Sequence, residues 1–255
     1  MFATLRKRTR ETFVCGEDPA LAALRSGALV FGTGGSAAVR GRELELGADG
    51  SAFTVDGVRF TLPVPGAHNV ENALAAIACC RAVSVEPREM VGALAAFAGV
   101  ARRFQSLGAA RGVEVVDDFA HNPAKIAAAL ATAQRRAGRV LAVYQPHGFG
   151  PTRFLREDLV ETFATGLRPD DRAFWLEVYY AGGTAVRDFS SADITAQIVE
   201  RGRTAEFAPS REALVARLAE VARPGDLVLV MGARDPSLTT FAKDVLARMR
   251  GAAVS

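Results

Sequence analysis

The chain has three histidines, His68, His121 and His147, and two of them stand in the same tripeptide, Ala-His-Asn. One copy lies in VVDDFAHNPAKI (Val115–Ile126), the other in PGAHNVENALAAIA (Pro65–Ala78). In the first, an apolar run ends on two carboxylates, Asp117 and Asp118. Asn122 can cap the following helix through its side chain, and Pro123 suits a first helical position. Capping explains Asn122 and Pro123 but does not require two acids at a strand tip. A carboxylate there can accept both hydroxyls of a ribose. Spacing alone leaves the ribose ligand and the plain strand end both open. In the second copy, Asn69 and Asn72 are three apart at a helix start and share a face. An amide carries both donor and acceptor, which suits the edge of an adenine. Capping by Asn69 is the simpler reading of that pattern.

Three further segments carry chemistry. ARRFQ places Arg102 and Arg103 where an irregular region meets a regular one, and a guanidinium pair there could hold phosphates. QPHGFGPTRFL (Gln145–Leu155) follows a predicted strand and puts His147 and Arg153 in a Gly/Pro loop, where α/β proteins gather ligands. FGTGGS (Phe31–Ser36) is rich in glycine, but a phosphate cradle needs a strand before it and a helix after it. The residues that follow, AAVRGRELEL, read as strand, so the segment is expected to be a flexible hairpin. The loop GxxxxGK(S/T) is absent. The three lysines, Lys7, Lys125 and Lys243, each follow a residue other than glycine.

These residues need elements to position them. From Asn69, NVENALAAIACCRAV and PREMVGALAAFAGV have helical spacing, the second opened by Pro87. Before them, FVCGEDPALAAL reads as a strand end, a turn and a short helix. ALVFGTGGSAAVRGRELELGADGSAFTVDGVRFTLPVPG alternates between Gly and Asp turns, which predicts short antiparallel strands. After Ala101, five apolar strands (VEVVDD, RVLAVYQ, RAFWLEVYY, TAEFA, DLVLVMG) alternate with helical stretches. Strands apolar on both faces predict a doubly wound, mainly parallel, Rossmann-like sheet from about residue 101, preceded by a partial α/β domain.

Composition bounds the rest. The 255 residues are 49% hydrophobic and 23% charged, as in globular proteins with a sizeable core. A net charge of +3 suits an anionic small molecule as well as a nucleic acid. Cys15, Cys79 and Cys80 show no metal-ligand spacing, which argues against zinc or a disulfide framework and for a reducing, cytoplasmic compartment. The start, MFATLRKRTRETF, lacks the apolar core of a secretory signal, and no run is long enough for a membrane span.

In order, PGAHNVENALAAIA, ARRFQ, DDFAHNP, YQPHGFGPTRF and LEVYYAGG resemble the Mur ligases, the ATP-dependent enzymes that add amino acids to the peptidoglycan precursor. Within that family they are most similar to the branch that joins L-alanine to UDP-N-acetylmuramate. The resemblance implies that residues 1–100 are the end of a central ATP-binding domain and residues 101–255 an amino-acid-binding domain. It implies that Asn69 and Asn72 contact adenine, that Arg103 reaches the phosphates and that Asp118 holds the ribose, two sides of one nucleotide cleft. His147 and Arg153 would lie near the incoming amino acid, with His68, His121 and Asn122 as supporting residues. The implied reaction is activation of a carboxylate by ATP as an acyl phosphate, then attack by an amine. The implied partners are a UDP-N-acetylmuramate-type substrate, an amino acid or peptide and a complementary N-terminal half, with neither nucleic acid nor membrane. The phosphate loop and the Mg2+ ligands of that family are not in this sequence, so the isolated chain is expected not to catalyse ligation. Two other readings stay open: a non-catalytic nucleotide-binding module derived from the ligase, and a related ligase that attaches a peptide. Gly148 and Pro151 occupy positions where the alanine-adding branch has arginines. The last predicted strand ends in GARDPS instead of a GAG-type loop.

Overall fold

The computed structural model describes residues 14–47, 49–180 and 182–251. The chain forms two compact units, Met1–Gly99 and Val100–Ser255. The start MFATLRKRTRETF lies outside the described residues.

In the first unit, β1 (Val14–Gly16), β2 (Leu29–Gly32) and β3 (Val39–Arg40) make a three-stranded parallel sheet. β4 (Arg42–Leu46), β5 (Ser51–Val55) and β6 (Val58–Leu62) make a second, antiparallel sheet. Phe53 and Phe60 are paired in register on β5 and β6 and stack at 5.5 Å. They pack against Val70, Leu74 and Ile77 of α1 (Ala67–Ala82). α2 (Pro87–Ala95) follows, with Pro87 at its start and a capping box between Glu86 and Glu89. The antiparallel expectation therefore holds for β4–β6 and is corrected for β2 and β3. FGTGGS is not a hairpin. The backbone N–H of Gly34 and the hydroxyl of Ser36 donate to the Glu17 carboxylate at 2.6 and 2.7 Å. A Cβ on Gly32 would collide with that carboxylate. Glu17 thus folds the loop around itself and lets β3 return parallel. The anion in this glycine-rich loop is the chain's own carboxylate, and the Ser36 hydrogen bond foremost holds its pKa below the usual value.

In the second unit, β7 (Gln105–Ala110), β8 (Val113–Asp118), β9 (Arg139–Gln145), β10 (Arg172–Trp175), β11 (Ala205–Phe207) and β12 (Asp226–Gly232) form one sheet in the order β11-β10-β9-β12-β8-β7. Every pairing is parallel except β7 with β8. The helices are α3 (Pro123–Arg136), α4 (Phe149–Phe154), α5 (Arg156–Gly166), α6 (Ser191–Glu200), α7 (Arg211–Val221) and α8 (Leu238–Met249). β9 shows why such strands read as apolar throughout. Val140, Ala142 and Tyr144 join one core with residues of α3, α5 and α6, while Leu141 and Val143 join another with α7 and α8. Side chains as large as Phe163 and Phe241, both buried, each contribute about 1.5–3 kcal/mol by leaving water.

The doubly wound sheet matches the expectation. Two details differ. β7 went unpredicted because QSLGAA has neither alternation nor β-branched residues. The loop expected after β9 is helical from Phe149, because Gly148, at φ +71°, turns the chain and Pro151 sits in the first turn, where its missing N–H costs nothing. Among the described residues, no helix is long and apolar enough to cross a membrane.

Candidate functional site

At the carboxyl end of β8 the two adjacent acids have different environments. Asp117 is fully buried. It accepts the Thr239 hydroxyl at 2.6 Å and lies 3.5 Å from Nε of Arg102. Asp118 is half-buried, and its two oxygens accept the backbone N–H groups of Phe104 (2.6 Å) and Ala120 (2.7 Å). Burial foremost raises its pKa, against the pull of those two N–H groups and of Arg103. Asp118 therefore fastens the 102–105 segment to the strand tip. The acceptor capacity beyond those two bonds is what a ribose could use.

The two arginines also separate. Arg102 points inward: its guanidinium donates to the carbonyls of Gly232 (2.8 Å) and Asp235 (3.3 Å) and stands 5.0 Å from the Phe119 ring centre. Arg103 is exposed, and its guanidinium lies 5.8 Å from the centre of the same Phe119 ring, with no side-chain hydrogen bond among the described residues. Arg102 and Phe104 both have left-handed φ, +58° and +49°. That turn sends the two side chains in different directions.

His121 and His147 come together. Their rings meet at 5.6 Å, one from the tip of β8 and the other from the tip of β9. The carbonyl of Phe119 lies 2.8 Å from Nδ1 of His121. A carbonyl can only accept, so Nδ1 carries a proton and donates it to this bond. The Tyr144 hydroxyl donates to the His121 carbonyl at 3.2 Å. His147 is half-buried. Burial first, then His121 and Arg234, push its pKa below the ordinary histidine value, which keeps the ring neutral at neutral pH. Asn122 caps α3 through its side chain, which accepts from Lys125 N–H at 3.0 Å.

Arg153 is drawn elsewhere. It forms an ion pair with Asp188, donates to the Val186 carbonyl at 3.0 Å and lies 5.5 Å from the Phe189 ring centre. In the first unit, Gly66 is the N-cap of α1, which corrects the capping reading of Asn69. Asn69 sits inside the first turn and its amide donates to the Pro65 carbonyl at 2.7 Å. Asn72 and His68 are exposed.

Sequence reasoning missed a network beneath the carboxyl edge of the second sheet. Arg211 donates to Gln145 at 2.8 Å and pairs with Asp235. Asp235 also accepts the N–H and hydroxyl of Ser237 at 2.9 and 2.6 Å. The Asp-Pro-Ser run before a helical stretch was the available signal, since an Asp commonly bonds its own backbone two residues on. Among the described residues no group of three His, Cys, Asp or Glu side chains could hold a metal ion.

The Mur ligase, glutamate ligase domain family matches residues 102–234, just over half of the chain. A UDP-N-acetylmuramate–L-alanine ligase of Cereibacter sphaeroides (strain ATCC 17025 / ATH 2.4.3) is 38% identical over 213 residues, covering 83% of this chain and 44% of that protein. Among solved structures, the UDP-N-acetylmuramate-alanine ligase MurC of Thermotoga maritima superposes with a TM-score of 0.70 at 22% identity, over 94% of this chain and 52% of that one. The MurF ligase of Thermotoga maritima in complex with ADP gives 0.63 at 18% identity, over 94% and 55%. The chain spans about half the length of the curated relatives it matches. With its sheet order, its motif order and this match in agreement, the chain belongs to the Mur ligase family.

Proposed function

We propose that this chain is the carboxyl-terminal part of an ATP-dependent Mur-type ligase that joins an amino acid to a UDP-N-acetylmuramate-type substrate in peptidoglycan precursor synthesis, in the cytoplasm. Residues 1–100 are read as the end of the central ATP-binding domain and residues 101–255 as the amino-acid-binding domain. The observation that carries the reading is the tip of β8, where an exposed Arg103 stands beside the half-buried Asp118. A guanidinium suits phosphate oxygens, and a carboxylate suits ribose hydroxyls. In support, the MurF ligase that shares this fold was solved with ADP.

ATP, when bound, would supply the phosphoryl group that activates the sugar-linked carboxylate for amide formation. In the proposal Asp118 orients the ribose and Arg103 balances phosphate charge. In the first unit Asn69 and Asn72 present amides to adenine. His147 and the α4 segment with Arg153 face the incoming amino acid, while His68, His121 and Asn122 hold their segments. Among the described residues no three His, Cys, Asp or Glu side chains gather as metal ligands, and the Mg2+ ligands are read as lying in the complementary N-terminal part. The sequence has no lysine-bearing phosphate loop, so the 255-residue chain alone is inactive in ligation and needs a complementary N-terminal part.

Calorimetric titration with ADP tests the reading. Arg103→Ala is the cleaner variant, because that side chain is exposed, and it weakens ADP binding about tenfold, ~1.4 kcal/mol. Asp118→Asn keeps one acceptor for the local turn and weakens binding by at least as much. Unchanged affinity in both variants would sink the assignment. ATP-dependent amide synthesis by the pure chain would sink the claim of inactivity.

A further inference from the structure

The segment after β12 carries a side chain that neither the core nor the nucleotide reading uses. Arg234 is exposed, and among the described residues its guanidinium makes no hydrogen bond or ion pair. Its φ is +64°, a left-handed conformation that favours glycine and is uncommon for a long side chain. The surroundings fix that conformation. Arg102 donates to the carbonyls of Gly232 and Asp235 on either side of it. Asp235 is buried and closes on Ser237 and Arg211. At Gly232 a Cβ would fall 2.7 Å from Leu238 and 3.0 Å from the Gln145 carbonyl, so the loop leaves β12 by one route. A strained residue held by a pinned loop points to function when its side chain has no structural partner.

The neighbours indicate what it would meet. Gly232 and Gln145 are the last residues of β12 and β9 and pair in register, and Arg234 and His147 each lie two residues beyond that shared strand end. After burial and His121, the Arg234 charge is a further cause that lowers the His147 pKa. The cation that sequence alone favours for a substrate carboxylate, Arg153, is already paired with Asp188. We propose that Arg234, with His147 beside it, is the receptor for the carboxylate of the incoming amino acid. It supplies from the β12 loop the guanidinium that Gly148 and Pro151 do not supply from the segment after β9. A guanidinium fork takes a carboxylate through two parallel N–H···O bonds, and the neutral His147 ring adds one donor or acceptor for the amino acid's own polar groups. The inference rests on the ligase reading and names the residue that selects the acceptor.

The test is an NMR titration of the full 255-residue chain that follows the imidazole resonances of His147, assigned by loss in His147→Gln. L-alanine is the carboxylate probe, inorganic phosphate is the competing oxyanion, and ADP is titrated in parallel. Arg234→Gly removes the guanidinium and relieves the left-handed strain, so its Tm is equal to or above that of the starting protein. L-alanine is expected to move the His147 signals saturably, with an apparent Kd at least tenfold weaker in Arg234→Gly. Arg223→Gly, at the opposite edge of the sheet, leaves the response in place. The assignment is overturned by an equal response in Arg234→Gly, by loss in Arg153→Ala instead, or by phosphate moving His147 more than L-alanine does. It is also overturned if ADP binds and L-alanine moves nothing, and the ligase reading then stands without it. If neither ligand binds, both fall.

Discussion

The tripeptide Ala-His-Asn occurs in both units and does different work in each. In the first, Ala67, His68 and Asn69 are the opening turn of α1, and the cap is Gly66 before them. In the second, Ala120, His121 and Asn122 precede α3, and Asn122 is itself the cap, with extended φ and ψ of −128° and 160°. The helix start has moved by three residues against an identical sequence. The cause is the next residue. Pro123 disfavours helical backbone at the residue before it, so Asn122 cannot be inside the helix. Val70 imposes no such limit, and a glycine at φ +102° starts the helix early. The consequence is functional. Histidine inside a first turn faces solvent, as His68 does, whereas histidine in the entry segment packs on the β8 tip, where His121 meets His147.

The largest effect expected from breaking this comparison is at Gly66. A Cβ there would sit 2.9 Å from the His68 ring, on a backbone with φ +102° and ψ 141°. Gly66→Ala is expected to destabilise the first unit by about 2 kcal/mol or more. Trp175 is the only tryptophan and lies in the second unit. Urea unfolding by far-ultraviolet circular dichroism should therefore lose stability where Trp175 fluorescence does not. An unchanged dichroism transition would mean that Gly66 does not set the helix start. Next is Asn122→Ala, which removes the cap of α3 and costs ~1 kcal/mol, read this time by Trp175 fluorescence, with Asn122→Asp restoring most of it. Asn69→Ala should cost less, about 0.5 kcal/mol, because it removes one side-chain bond to the Pro65 carbonyl and no cap. A larger loss at Asn69 than at Asn122 would reverse the assignment of roles.

The same contrast shows how much the residues disclosed in advance. The second unit was legible as a sheet because RVLAVYQ and DLVLVMG are apolar on both faces, and only strands sandwiched between helix layers are. Asn122-Pro123 was legible because both residues act on neighbouring backbone. What stayed hidden depends on partners far along the chain. Arg153 finds Asp188, 35 residues on, and nothing near Arg153 announces it. Glu17 reaches forward to Gly34 and Ser36 and turns an apparent hairpin into a parallel return. Arg102 and Arg103 are indistinguishable as neighbours. Only the φ signs at residues 102 and 104 send one inward to Asp117 and leave the other exposed.

The smallest effect is a pH dependence at His147. In the unfolded chain His147 takes up a proton near the ordinary value of about 6.5. In the folded chain burial, His121 and Arg234 depress that value. Between the two values the unfolded state binds more protons than the folded state, so stability falls as pH drops through this window. The contribution is fully present above the unfolded value and is lost as pH falls through the folded one. His147→Gln removes the titrating group while keeping a polar side chain. It should flatten the decline in urea-unfolding free energy between about pH 7 and pH 5. If His147→Gln leaves the slope as it was, the packing of His121 on His147 is not what distinguishes the second Ala-His-Asn from the first.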